Sequence, residues 1–182
     1  MIGGTVLEGF ELSGWTGLAL TVEGYDPLKG TVTIKNNKLS SGTYVIVGFI
    51  FGTYNESTGQ FQIVGYTKDS TTYCWGSYEP QVSVPSRGGT KNVNVETYAL
   101  NPSSEITLDI LPFVGPYNVD GTAVLRYDSV DWGYGKRVIG INWDDLRGYL
   151  SHIYDTKIYT DQVTVSPYAL PAEVRNFSIA KA

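Results

Sequence analysis

The run of residues 44–51, YVIVGFIF, limits what this chain can fold into more than any other stretch. Apart from Gly48, every residue in it is aromatic or β-branched. Such residues favour a pleated backbone. The run has too little polar alternation to leave one face wet, so it reads as a strand covered on both sides for part of its length. Gly48 and Gly52 interrupt it, and glycine inside a strand marks a bulge or the close approach of another backbone. Upstream, Val32 and Ile34 alternate with Thr31, Thr33 and Lys35, the pattern of a strand with one dry face. Between the two, Asn36, Asn37 and Lys38 break the alternation, because asparagine tolerates left-handed backbone and bonds its own main chain. Residues 30–52 therefore read as the central pair of strands in an antiparallel sandwich.

The rest of the chain follows the same logic. Residues 5–12 and 16–22 read as short strands, with a turn at Tyr25-Asp26-Pro27. Asn55 to Gly59 is a hairpin loop inside residues 43–67, and Lys68-Asp69-Ser70 turns the chain again. Pro112, Gly115 and Pro116 form the densest group of breakers, so 112–116 is the best weak boundary. Residues 122–130 and 137–143 read as a second hairpin around a turn at 133–136, and 157–165 and 173–180 as closing strands. One helix is expected near 143–154. Asn142 caps it, Asp144 and Asp145 suit the positive end of its dipole, and Leu146, Tyr149, Leu150 and Ile153 fall at helical spacing, with Gly148 inside. Residues 114–182 bury too little apolar surface to fold alone without disulfides or metal. They are expected to add strands to the first sandwich, with the helix across one open end. The reading is a single all-β domain over 1–182, an antiparallel sandwich of immunoglobulin-like or jelly-roll-like type.

Two further segments carry a family resemblance. Residues 81–100, QVSVPSRGGTKNVNVETYAL, and 105–113, EITLDILPF, follow the long strand at the spacing of a sandwich. Over residues 20–113 the chain resembles the immunoglobulin-like adhesion modules of prokaryotic surface proteins, the CARDB group and its fibronectin-III-like relatives. In those modules a segment of strand, Pro, Gly-Gly-Thr and strand joins two strands across the sandwich. The resemblance implies the fold, and function only by analogy. Residues 114–182 lie outside it. Low charge, abundant tyrosine and Thr/Val/Gly-rich strands also resemble surface filament subunits and virion proteins of thermophilic archaea.

Composition excludes several functions. A net charge of −5 with no local Lys/Arg cluster disfavours nucleic acid. The lone Cys74 forms no intramolecular disulfide. The first residues lack a basic region followed by an apolar one, so no secretory peptide is expected. The apolar run of residues 44–52 falls far short of the roughly 20 residues that span a bilayer, so no membrane insertion is expected. The chain is expected outside the cell, at a cell surface or in a virion.

Residues with catalytic potential are sparse. A nucleophilic triad would need His152, the only histidine, with Cys74 or a serine, and no serine stands in a Gly-x-Ser-x-Gly context. One His and one Cys do not make a zinc site. No enzyme activity and no cofactor are expected, with a shallow hydrolase site as the remaining alternative. Asp128 and Asp131 are the weak calcium candidates, because loop carboxylates suit a hard cation. Tyr73, Trp75 and Tyr78 crowd one Gly/Ser-containing loop, and Trp132 and Tyr134 occupy another. Such rings plug sandwich ends and subunit interfaces, or stack on sugars. Asn55 and Asn176 head glycosylation sequons. Two readings result: a noncatalytic sandwich that assembles with itself or with other surface or virion proteins, or a module that binds glycans or a host surface through its aromatic loops.

Overall fold

Alternation in the sequence becomes two stacked antiparallel sheets. The structure, a computed structural model, describes residues 5–11, 18–26, 29–95, 106–116, 125–128, 139–150 and 159–165. Its strands are β1 (Thr5–Glu11), β2 (Leu20–Asp26), β3 (Thr31–Asn36), β4 (Tyr44–Asn55), β5 (Gln60–Lys68), β6 (Thr71–Ser83), β7 (Thr90–Asn94), β8 (Ile106–Pro116), β9 (Tyr127–Asp128), β10 (Ile139–Asn142) and β11 (Tyr159–Val165), and its helix is α1 (Trp143–Leu150). A large sheet runs β11-β8-β4-β5-β6-β10-β9, with β1 paired to β5. A three-stranded sheet runs β2-β3-β7.

Strand β4 is buried from Val45 to Gly52, as its unbroken apolar run implies. Successive side chains point to opposite faces. Val45, Val47, Phe49 and Phe51 meet Leu20, Val32, Ile34 and Val93 of the small sheet, forming the inner core. Ile46 and Ile50 face the other way, into an outer core with Phe61, Ile63, Leu111, Phe113, Trp143 and Leu146. β3 and β4 are both central, each in its own sheet. β3 lies between β2 and β7, while β4 has β8 on one edge and β6 followed by β5 on the other. The change from β6 to β5 falls at Gly52, where a Cβ would overlap the Gln62 carbonyl oxygen. A Cβ at Gly48 would overlap the Ser77 carbonyl oxygen, so both glycines mark close backbone approach.

The two crossings between the sheets are tied together by Asn36, which is fully buried. Its Nδ2 donates to Leu39 O at 2.9 Å and to Pro85 O at 2.8 Å, and its Oδ1 accepts from Leu39 N at 2.8 Å. Its backbone accepts from Gly88 N at 2.7 Å and donates to Gly89 O at 3.0 Å. A buried amide bonded this fully holds its surroundings in one arrangement. The Pro85–Gly89 segment carries the chain from β6 in the large sheet to β7 in the small one. The β4–β5 hairpin turns at Asn55–Gly59, with Gly59 at φ 71°. The β5–β6 turn places Asp69 and Ser70 at φ 50° and 63°, both left-handed as a tight hairpin requires.

Several expectations are corrected. The breaker group at 112–116 breaks nothing: β8 runs through it and pairs with β4 from Gly52↔Asp109 to Val45↔Pro116. β11 pairs with β8 only as far as Ile110, so Pro112, which has no N–H to donate, lies past the end of that second ladder. The turn expected at Tyr25-Asp26-Pro27 starts later than read: β2 continues to Asp26 after a bulge between Val22 and Gly24, and the Asp26 carbonyl accepts from Gly30 N at 2.8 Å. The helix α1 lies on the outer face of the large sheet and not across an open end. Trp143 and Leu146, one helical turn apart, form an apolar stripe in the outer core, where the helix packs against β6, β8 and β10. β9, β10 and β11 all join the large sheet, and β9 and β10 form the expected antiparallel pair. The expected turn at 133–136 and strand at 173–180 lie outside the described residues.

Candidate functional site

The aromatic group expected on a loop lies on β6. Gly76 and Ser77 do not open a loop. A Cβ at Gly76 would overlap the Phe49 carbonyl oxygen, so this glycine serves the contact between β6 and β4. Strand alternation then divides the rings. Trp75 is 1% exposed in the inner core, which rules it out as a stacking platform in this conformation. Tyr78 points to the opposite face and packs against the outer core. Its hydroxyl donates to Leu125 O at 3.1 Å, and its ring meets Tyr127 edge-on at 6.2 Å. Tyr73 is half-buried on β6. Trp132 and Tyr134 lie outside the described residues.

The other chemically distinctive side chains are similarly placed. Cys74 is fully buried and donates to Ile141 O at 3.5 Å. Burial pushes its thiol pKa up, which keeps it neutral and unreactive. His152 and Asp131 lie outside the described residues. Asp128, the other calcium candidate, faces Lys68 at 3.3 Å. Among the described residues no group of three or more His, Cys, Asp or Glu side chains converges. Asn55, at the first sequon, sits in the β4–β5 turn with its Oδ1 accepting from Ser57 N at 3.0 Å. Asn176 lies outside the described residues.

At the start of α1, Asn142 Oδ1 accepts from Asp145 N at 3.0 Å, the cap that its position implied. Asp145 in turn receives Arg126 Nε and Nη2, both at 2.9 Å, and Arg126 N at 3.2 Å. These bonds from Arg126 hold the Asp145 carboxyl below the usual carboxylate range, against the opposing effect of partial burial. The pair locks the β9–β10 region to the helix.

Among the described residues two surface depressions stand out, and sequence reading missed both. A groove of about 600 Å³ lies along β2, β3 and β7, lined by Gly24, Asp26, Thr31, Thr33, Asn92 and Asn94 among others. A cleft of about 350 Å³ lies where β6 and β7 approach each other at the side of the sandwich, lined by Tyr44, Glu79, Gln81, Val82 and Lys91 among others. Lys91 Nζ spans from β7 to β6, donating to Ser83 O and Oγ, each at 3.0 Å. Tyr44 beside it is 46% exposed. The polar alternation of Thr31, Thr33, Asn92 and Asn94 is visible in sequence. Its convergence on one surface depends on pairing between segments 59 residues apart, as in the Thr33–Asn92 bond, which composition does not encode.

No family model matches the chain, and no curated protein or solved structure matches it significantly. Among the described residues no helix is long and apolar enough to cross a membrane.

Proposed function

We propose that this chain is a noncatalytic interaction module, the subunit of a cell-surface or virion assembly, that associates with copies of itself. The observation that carries this is the side cleft, where Tyr44 stands 46% exposed beside Glu79 and Lys91. Tyrosine is among the residues that anchor protein interfaces, through a large ring with a polar tip. Glu79 and Lys91 have opposite charges within one cleft, so a twofold arrangement that set Glu79 of one copy against Lys91 of the other would be complementary. Pro80 and the bulge opposite Val45 to Val47 blunt the neighbouring edge of β6, and Lys91 spans its mouth. These are devices that discourage open-ended strand addition, which leaves contact through side chains as the favoured mode. The likeness of residues 20–113 to adhesion modules supports the same reading by analogy. The burial of Cys74 and Trp75 also favours it over a reactive or ring-stacking site.

Size-exclusion chromatography with light scattering over a concentration series tests the proposal. Concentration-dependent dimers or larger species are expected, with association weakened by about tenfold or more in Tyr44→Ala, as for an interface anchor. A monodisperse monomer at every concentration overturns it.

A further inference from the structure

The groove on the small sheet is built by register. β3 and β7 pair so that Thr31 faces Asn94 and Thr33 faces Asn92. On the other side of β3, the bulge between Val22 and Gly24 resets the phase of β2, placing Gly24 opposite Thr33 and Asp26 opposite Thr31. Two cross-strand rows result, Asp26–Thr31–Asn94 and Gly24–Thr33–Asn92. At Gly24 a Cβ would stand 4.0 Å from the Thr33 side chain, an ordinary contact, so this end of the second row has room with or without a side chain there. Tyr25, the residue between, turns inward against Phe49 with ring centroids 5.8 Å apart.

We infer that this groove binds a neutral glycan through hydrogen bonds, without ring stacking. Each sugar hydroxyl both donates and accepts, and the threonine hydroxyls and asparagine amides of the rows do the same. Thr33 Oγ1 donates to Asn92 Oδ1 at 2.8 Å, which engages the amide oxygen and leaves Nδ2 to donate. Asp26, whose Oδ1 accepts from Lys29 N at 3.3 Å, and Lys29 line the same end, and their opposite charges offset. The offsetting charges of Asp26 and Lys29 give an ionic ligand no net attraction, and an apolar one would strand the amides without partners at a cost in free energy. The depression, about 600 Å³ and open to solvent, admits a ligand that lies along the sheet face. This inference goes beyond the assembly reading: the groove and the side cleft share Asn92 and Asn94, but Tyr44 lines only the cleft, and Thr31 and Thr33 line only the groove.

The test is a titration of the full chain, followed in ¹H–¹⁵N correlation spectra, with glucose, galactose, mannose, N-acetylglucosamine and their disaccharides, and with sialyllactose as the anionic control. At least one neutral sugar should shift the amides of β3 and β7 saturably. A Thr31→Val, Asn94→Ala double variant with an unchanged melting temperature should weaken that binding by about tenfold, the effect of losing two neutral hydrogen bonds. Should the double variant melt early, Thr31→Val alone, which lies outside the side cleft, carries the test. Tyr44→Ala should leave sugar binding intact, which separates this site from the association surface. The inference is overturned if no neutral sugar produces shifts, if sialyllactose alone does, or if binding survives the groove substitutions.

Discussion

The two faces of β4 bury equally apolar residues by different means. The inner face is closed by a second sheet whose strands alternate strictly, Val32 and Ile34 inward against Thr31 and Thr33 outward. The outer face is covered by Leu125 and by Trp143 and Leu146 of α1, which join Ile139 and Ile141 of β10 in the outer core. A sheet is hydrogen-bonded along its length and yields little, whereas an eight-residue helix can shift as a body. The same buried area is therefore expected to be held more rigidly inside than outside.

Large-to-small substitutions are the strongest way to break this comparison. Phe49→Ala should cost about 5 kcal/mol, the upper part of the range for buried aromatics, because the flanking sheets collapse poorly onto the cavity. Trp143→Ala, although the larger deletion, should cost nearer to about 3 kcal/mol, because α1 can settle into the space. Urea unfolding followed by tryptophan fluorescence and far-UV circular dichroism measures both, and the reverse order would refute the distinction.

The two structural asparagines sharpen it. Asn36→Ala removes three side-chain hydrogen bonds at the sheet crossings and leaves Pro85 O and Leu39 N short of partners, an expected loss of about 3 kcal/mol. Asn142→Ala removes one cap, an expected loss of about 1 kcal/mol. Equal losses in thermal melts would mean that the crossing is less constrained than its bonding implies.

These contrasts track what was legible in the sequence. The inner core could be read because periodicity of two, in Thr31–Lys35 and in the run from Tyr44, directly reports which face is dry. Asn142 and the two acidic residues after it marked the start of α1 for a similarly local reason. The rest was set by pairing across the chain. Gly76 and Ser77 look like loop residues until Phe49 is placed against them, and Pro112 looks like a boundary until β4 is laid beside it. The groove was missed because the bulge in β2 shifts its phase after Glu23, which a fixed period does not anticipate.

The smallest expected effect is acidic loosening of the outer core alone. The carboxyl of Asp145 has its folded-state pKa lowered, chiefly by the hydrogen bonds from Arg126. Its contribution is present in full above the unfolded pKa, near 4, and is lost as pH falls through the lower folded value. Arg126 is solvent-exposed, so the effect is small and salt weakens it. Below about pH 4 the helical signal at α1 should decline before the β signal, and Asp145→Asn should remove that first step. A single concerted acid transition unchanged by the substitution would show that the two cores are not separable.

The β4–β8 ladder joins Val45 to Pro116 and Gly52 to Asp109, so the middle of the large sheet forms only after a long loop has closed. Chains dominated by such distant pairings fold slowly, in milliseconds to seconds, because loop entropy is lost before the contacts form. During that interval the apolar run of β4 lacks one neighbour and can be captured by another nascent chain. Pro80 and Lys91, which blunt the side of the finished sandwich, stand on the two strands that follow β4 and β5 in the chain and are made before β8. The chain thereby carries its edge protection ahead of the segment that completes its sheet.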